Sequence, residues 1–411
     1  MTRRVVLFED RHWRTLRPLT DLLPVPALVF GASDLARRWL ARAGAPLLAI
    51  EARALALATW HHAPARDTSG VPADADAIVL NAAALPGTWY DAAQQASGPA
   101  LWMAGERLAG ARVPLATLRP ALGRGPLFED ALLALGLPVV SVDASFLSFP
   151  WHFIERNTAA IAEDLAGVRG EARGDVHRLA CLEAPEHITV AEGAVVSAFA
   201  VLDARGGPIR VGPGASVASH TVVTGPCVIG AGTQLLGGFV SGSTFGPECR
   251  VAGEVEASLW QGYANKRHHG FVGHSVVGEW VNLGALTTTS DLKNNYGNVR
   301  VWVDGRELDS GSPKVGSLIG AHVKTGIGSL LPTGASLGTG ANLFAGARFA
   351  PKQTAPFAWW DGQNTVEHEI GRFLATARIA FGRRGRTFSP ADEAACRQFF
   401  DSTAGERRPM I

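Results

Sequence analysis

The chain has 411 residues, a formal net charge of +1, 47% apolar residues and 18% charged residues. That length is too great for one ordinary core, so at least two domains are expected, and the apolar content excludes a disordered chain. The near-neutral balance removes any bulk electrostatic basis for binding nucleic acid or a membrane surface, and no apolar run approaches the roughly 18 residues of a membrane span. Cys181, Cys227, Cys249 and Cys396 are scattered without a CxxC pair. Val5–Phe8 is too short for the apolar core of a signal peptide. A reduced, cytoplasmic, soluble protein is the expectation.

Residues 1–150 read as an α/β domain. Val5–Phe8, Pro46–Ile50 and Ala77–Leu80 are short apolar strands, Leu35–Ala43 has helical spacing, and their alternation predicts a parallel sheet. Arg14–Leu28 (RTLRPLTDLLPVPAL) resembles the opening of sugar nucleotidyltransferases, in which a strand and a glycine-rich phosphate loop precede Thr-Arg, Pro-Leu-Thr and Pro-Lys-Pro. Arg17-Pro18-Leu19-Thr20 matches that pattern. Glu9-Asp10-Arg11-His12-Trp13 replaces the loop, Pro24-Val25-Pro26 lacks the lysine, and Val79-Leu80-Asn81-Ala82 lacks the metal-binding carboxylate. Glu9, Asp10, Arg11, Arg14 and Arg17 lie near the end of the first strand, where ligands commonly bind in α/β sheets, and Arg14 and Arg17 are the candidate nucleotide contacts; the resemblance implies a Mg²⁺ ion. The departures leave two readings open: a nucleotidyltransferase, or a repurposed domain that only binds a sugar nucleotide.

Residues 151–187 read as a helical connector, amphipathic over Phe153–Leu165 and loosening at Gly167–Asp175. From residue 188 to 351 a six-residue period takes over. Val211, Val217, Val223, Ile229 and Leu235 follow it, as do Ile319, Thr325, Leu331, Leu337, Leu343 and Phe349. Neither a helix nor a simple strand has that period; a hexapeptide parallel β-helix does, and known hexapeptide proteins coil left-handed. Residues 290–313 interrupt the period. They form either a binding loop or a hairpin over the coil, alternating at Val299–Val303 and turning at Asp304-Gly305. Residues 352–411 form a helical tail, with helices at Phe373–Phe381 and Ala391–Phe400. Ser389 is the N-cap of the second, and Arg383, Arg384 and Arg386 lie between the two.

The candidate chemistry lies in His268–Gly297 (HHGFVGHSVVGEWVNLGALTTTSDLKNNYG). His268 is followed in register by Phe271-Val272-Gly273, Val277-Gly278 and Asn282-Leu283-Gly284-Ala285. This block resembles the acetyltransferase half of the GlmU family, and the whole chain is similar to divergent GlmU-like proteins. The resemblance implies a homotrimeric transferase of UDP-N-acetylglucosamine-type metabolism that N-acetylates an amino-sugar 1-phosphate from acetyl-CoA. It makes His268 the general base and Asn282 a substrate contact, with Ala285 meeting acetyl-CoA through its backbone. Phe271 stands for the family tyrosine and Glu256 for a lysine. Lys266, Arg267 and Lys293 are candidates to restore positive charge on the substrate side, and Lys324 on the cofactor side. Two other classes stay open. His269 and His274, with His220, have the spacing of a zinc site in hexapeptide carbonic anhydrases; a nonenzymatic sugar-nucleotide scaffold is the other.

Overall fold

The computed structural model describes residues 3–68, 75–95 and 98–408. It divides into two compact units. The first comprises residues 1–16, 23–28 and 33–148; the second comprises residues 17–22, 29–32 and 149–411.

The first unit is an α/β domain on a six-stranded sheet. Its strand order is Leu47–Glu51, Arg3–Phe8, Asp76–Asn81, Arg107–Pro114, Ala100–Ala104, Val139–Ser141. The first three strands are parallel, as expected from their apolar runs. Arg107–Pro114 runs antiparallel to both neighbours, so the sheet is mixed. The cause is local: Gly105, at φ 60, allows a tight reversal that joins Ala100–Ala104 to the strand after it. Val6, Phe8, Val79, Leu108, Val113 and Phe128 are fully buried in the core beside this sheet.

The second unit is a left-handed parallel β-helix of about 11 turns from residue 171 to 360, followed by helices. Each turn lays one short strand on each of three faces and sends an aliphatic side chain inward. On one face the inward residues run Val217, Leu235, Val251, Lys266, Leu283, Thr325, Leu343. The coil begins earlier than the residue period suggests. Glu171–Ala172, Asp175–Val176 and Cys181–Glu183 already pair with the next turn, but their polar outer residues mask the repeat. It also ends later, at Ala358–Trp360, against which Thr365–Glu367 folds back antiparallel. Phe349 does not point inward. It is 67% exposed and Ala350 takes the inner position, because the corner carrying Ala347 (φ 57) holds one extra residue.

The expected connector helix forms at Pro150–Asp164 and belongs to this second unit. Its Asn157 is fully buried, accepting from Gly31 N at 3.0 Å and donating to Thr244 Oγ1 at 3.0 Å on an outer face of the coil. The insertion is a hairpin. Arg300–Val303 pairs with Arg306–Asp309 around Asp304 (φ 47) and Gly305 (φ 74), and Val299, Val301 and Val303 are buried beneath it. Helices Ile370–Gly382 and Pro390–Ser402 close the chain. Ser389 and Asp392 form the anticipated reciprocal cap on the second.

Candidate functional site

The parallel register stacks equivalent residues of successive turns directly above one another. On the outer side of one face this produces the column Arg250, Asn265, Asn282, Lys324, each bridged to the next. Adjacent strands lie about 4.8 Å apart, so the four side chains form a continuous polar floor. Asn265 Nδ2 donates to Asn282 Oδ1 at 2.8 Å, which fixes the Asn282 amide. The corner before this face holds Tyr263, Trp280 and His322 on three turns, all in left-handed backbone at φ 54, 61 and 61. Identical corner geometry stacks their rings: Tyr263 on Trp280 at 4.4 Å and Trp280 on His322 at 6.3 Å. The corner after the face carries Arg267 and His268, both exposed.

The tail roofs this floor. Phe381 stacks on Trp280 at 3.8 Å and Phe373 meets His322 edge-on at 5.3 Å, docking helix Ile370–Gly382 through its apolar side. The resulting cavity has a volume of about 520 Å³. It is lined from below by Arg250, Asn265, Asn282 and Lys324, at the side by Arg267 and His268, and from above by Thr376, Ile379, Arg383 and Arg384.

Four residues expected from sequence, His268, Asn282, Arg267 and Lys324, therefore share one cavity. Burial pushes Lys324 down to about 8, and its Nζ lies 3.3 Å from the carbonyl of His322. Lys266 does not join them. It points into the coil and is 0% exposed, and its Nζ donates to the carbonyls of Ala252 and His268, both at 2.9 Å. Burial pushes it down to about 8. It holds the corner that carries His268 and cannot reach a ligand in the cavity. Lys293 sits in the turn closed by Tyr296 N to Lys293 O, and does not line the cavity. Ala285 lies on the coil outside it, its carbonyl accepting from Gly328 N at 2.7 Å. Arg250, Arg383 and Arg384 complete the lining. Arg250 could have been read from its position just before the inward Val251, on the outer face that also carries Asn282.

The three histidines considered for zinc do not converge within the chain. His220 stacks on Phe199 at 5.6 Å, His269 is exposed, and His274 Nδ1 lies 2.7 Å from Asp291 Oδ2. Among the described residues one group of potential ligands lies within 4.8 Å, namely Glu256, His274 and Asp291. Lys314 lies 3.7 Å from Glu256 there, so a cation already occupies part of that charge.

In the first unit the segment replacing the glycine-rich loop is locked by ion pairs. Glu9 accepts from Val25 N at 2.8 Å and from Arg53 Nε at 2.7 Å, while the Arg53 guanidinium lies 3.8 Å from the Trp13 ring. Asp10 accepts from Arg107 Nε and Asn81 Nδ2, both at 2.7 Å. Burial works to raise Asp10, but hydrogen bonds from His12 and Arg107 hold it well below the usual carboxylate range. A Mg²⁺ site needs free carboxylate oxygens. These two are engaged by guanidinium groups and Asn81 offers none, so the residues do not fit the ion. Arg14 is exposed beside Trp13. Arg17 belongs to the second unit, where it pairs with Asp21 at 2.7 Å and Glu406 at 2.8 Å. No helix among the described residues is long and apolar enough to cross a membrane.

Residues 5–172 match the family model described as sugar nucleotidyl transferase. Over 94 residues the chain is 37% identical to a bifunctional sugar-1-phosphate nucleotidylyltransferase/acetyltransferase of Sulfurisphaera tokodaii, covering 23% of each chain. It is 33% identical to a bifunctional protein GlmU of Methanocaldococcus jannaschii, covering 23% of this chain and 22% of that one. The chain thus spans less than a quarter of these relatives' length in each match. Among solved structures, a UDP-N-acetylglucosamine acyltransferase from Campylobacter jejuni aligns at 12% identity and a TM-score of 0.22, over 57% of this chain and 83% of that one. The sequence matches support a divergent GlmU-like family.

Proposed function

We propose, from that kinship and from the cavity, that this chain is a transferase of amino-sugar nucleotide metabolism whose β-helix N-acetylates an amino-sugar 1-phosphate, of the glucosamine-1-phosphate type, from acetyl-CoA. The observation that carries the reading is the convergence of His268, Asn282, Arg267 and Lys324 on one cavity. The substrate amine attacks the thioester carbonyl and a C–N bond forms. His268 takes the amine proton, the C–S bond breaks, and the thiolate leaves and is reprotonated. Asn282, its amide fixed by Asn265, orients the sugar; Arg267 and Lys324 supply positive charge to phosphate. Ala285 is assigned the backbone contact to acetyl-CoA, whose developing oxyanion a backbone N–H would steady.

The assembly proposed is a homotrimer. Leu286 and Ile327, neighbouring corner residues on successive turns, and Phe344 and Phe349 are each more than half exposed. Large apolar side chains exposed on the coil are what a contact between chains would cover. The mass in solution tests it. A cytoplasmic location is part of the same reading. For the N-terminal domain, the ion-paired Glu9 and Asp10 favour binding of a sugar nucleotide over nucleotidyl transfer. Pyrophosphate release from UTP and the acetylated sugar phosphate would reverse that preference.

Thiol release from acetyl-CoA with glucosamine 1-phosphate is the central test. His268→Ala is expected to lower kcat about 10²–10⁴-fold, the usual worth of a positioned base. Full activity in that variant would remove His268 from the mechanism.

A further inference from the structure

The tail contributes something that acetyl transfer by His268 does not use. Arg383 and Arg384 follow helix Ile370–Gly382 and enter the cavity opposite Arg250 of the floor. Arg384 Nε is buried without a hydrogen-bond partner. Burial, with the charges of Arg250 and Arg383 close by, holds the Arg384 guanidinium below its ordinary pKa; Glu248 is the carboxylate that opposes them. No Asp or Glu lines the cavity among the described residues, and no salt bridge engages Arg250, Arg383 or Arg384. A helix C-terminus favours cations, which accounts for the two tail arginines. It does not account for Arg250, set against them from a different element.

The docking that brings these charges together is specific. Phe381 on Trp280 fixes the end of the helix, and Arg386, over the Tyr263 ring at 4.9 Å, fixes the turn beyond it. Like charges gathered in a partly desolvated site, with a donor left unpaired, form a receptor for concentrated negative charge.

We infer that Arg250, Arg383 and Arg384 form a subsite for a phosphoryl group, a phosphate monoester or a diphosphate, so that the C-terminal tail completes the substrate site. The inference deepens the acetyl-transfer reading and rests on it only for which substrate brings the group. An amino-sugar phosphate carries one such group; coenzyme A carries a diphosphate and a 3′-phosphate.

The test is calorimetric binding to the full-length chain, which needs no turnover. Coenzyme A is compared with pantetheine, and glucosamine 1-phosphate with glucosamine, for wild type, Arg383→Gln/Arg384→Gln and Arg250→Gln. One phosphorylated ligand is expected to lose about 10- to 100-fold in affinity in both variants, the worth of one or two charge-assisted hydrogen bonds. Its unphosphorylated counterpart changes little. Loss confined to coenzyme A, or to glucosamine 1-phosphate, identifies the source of the phosphoryl group, and either supports the subsite. Unchanged affinity for both phosphorylated ligands in variants that melt like wild type overturns it. If the wild type binds coenzyme A through these arginines but transfers no acetyl group, the subsite stands and the acetyl-transfer reading falls. Arg250→Gln lies on the rigid coil, so the result survives if the tail variant undocks.

Discussion

Lys266→Met separates a lysine that holds the site together from one that touches substrate. Lys266 is fully buried and its pKa is pushed down from 10.5 to about 8. At 1.36 kcal/mol per tenfold shift in protonation, keeping the charge indoors costs on the order of 3 kcal/mol. The sign follows from proton uptake. Below pH 8 the amine is protonated in both states and the full penalty is present. Between pH 8 and 10.5 the folded chain releases its proton first, the unfolded chain binds more protons, and stability rises. Methionine removes this cost but takes a donor from the carbonyls of Ala252 and His268, at about 1–3 kcal/mol for each acceptor left unsatisfied. Little net change is therefore expected at pH 7. Urea unfolding at pH 7 and pH 10 reads the rest. Wild type should gain about 2–3 kcal/mol on the variant over that interval. Cys227, Cys249, Cys396 and Tyr263, all raised by burial, titrate alike in both chains and drop out of the difference. Parallel curves would refute the buried-charge account. In turnover, kcat should fall with KM unchanged, because the His268 corner loses its anchor. A raised KM at constant kcat would instead place Lys266 on the substrate.

His322 is pushed down to about 3, chiefly by burial, and stays neutral under the tail. An unfolded histidine protonates near 6.5, so stability is lost as pH falls from 6.5 toward 3, by on the order of 3 kcal/mol at pH 4. His322→Phe should flatten that acid limb in urea titrations; an unchanged limb would exonerate the residue. Arg17→Met leaves the buried Asp21 carboxylate without its partner and should cost about 3–5 kcal/mol by urea unfolding. Retained stability with weakened UTP binding would return Arg17 to the nucleotide. Gly316→Ala places a Cβ 2.0 Å from the Gly273 carbonyl and should destabilise by about 2–4 kcal/mol, whereas Gly382→Ala meets nothing within 4 Å and should be neutral by the same measurement.

The coil was legible because burial demands one inward aliphatic residue every six positions. That rule leaves polar outer residues free, so the first turn, with Glu171, Asp175 and Cys181, does not announce itself. Lys266 shows the opposite error. Lysine is ordinarily a surface residue, yet Trp260, Lys266 and Val272 keep the six-residue step and all point inward. Taking the period as stronger than the residue type would have placed it correctly. His268 and Asn282 were read from their register with the acetyltransferase block, and Arg267 and Lys324 from their charge alone; that the four line one cavity follows from the stacking of the turns, which the sequence does not spell out. The tail's share of the site was legible only as the arginine cluster Arg383, Arg384 and Arg386 between two helices, which reads as a solvated turn or as a contact to a ligand phosphate. Amphipathic spacing predicts that Phe373–Phe381 is helical, but not that Phe381 will seek the Trp280 ring, a contact set by three corners in left-handed backbone.

The hairpin at Arg300–Asp309 interrupts the sequence without interrupting the coil. Val276 pairs with Leu259 below and with Leu318 above, across 17 and then 42 residues, in the same register. Closing the longer loop costs only about 0.8 kcal/mol more on chain-entropy grounds. Such an excursion is nearly free so long as it leaves and rejoins the wall at one point. The stretch is therefore a natural splice point. Foreign sequence of comparable length, or a pair of new chain ends, could be placed at Asp304-Gly305 while the floor beneath the histidine, built from turns on either side, keeps its spacing.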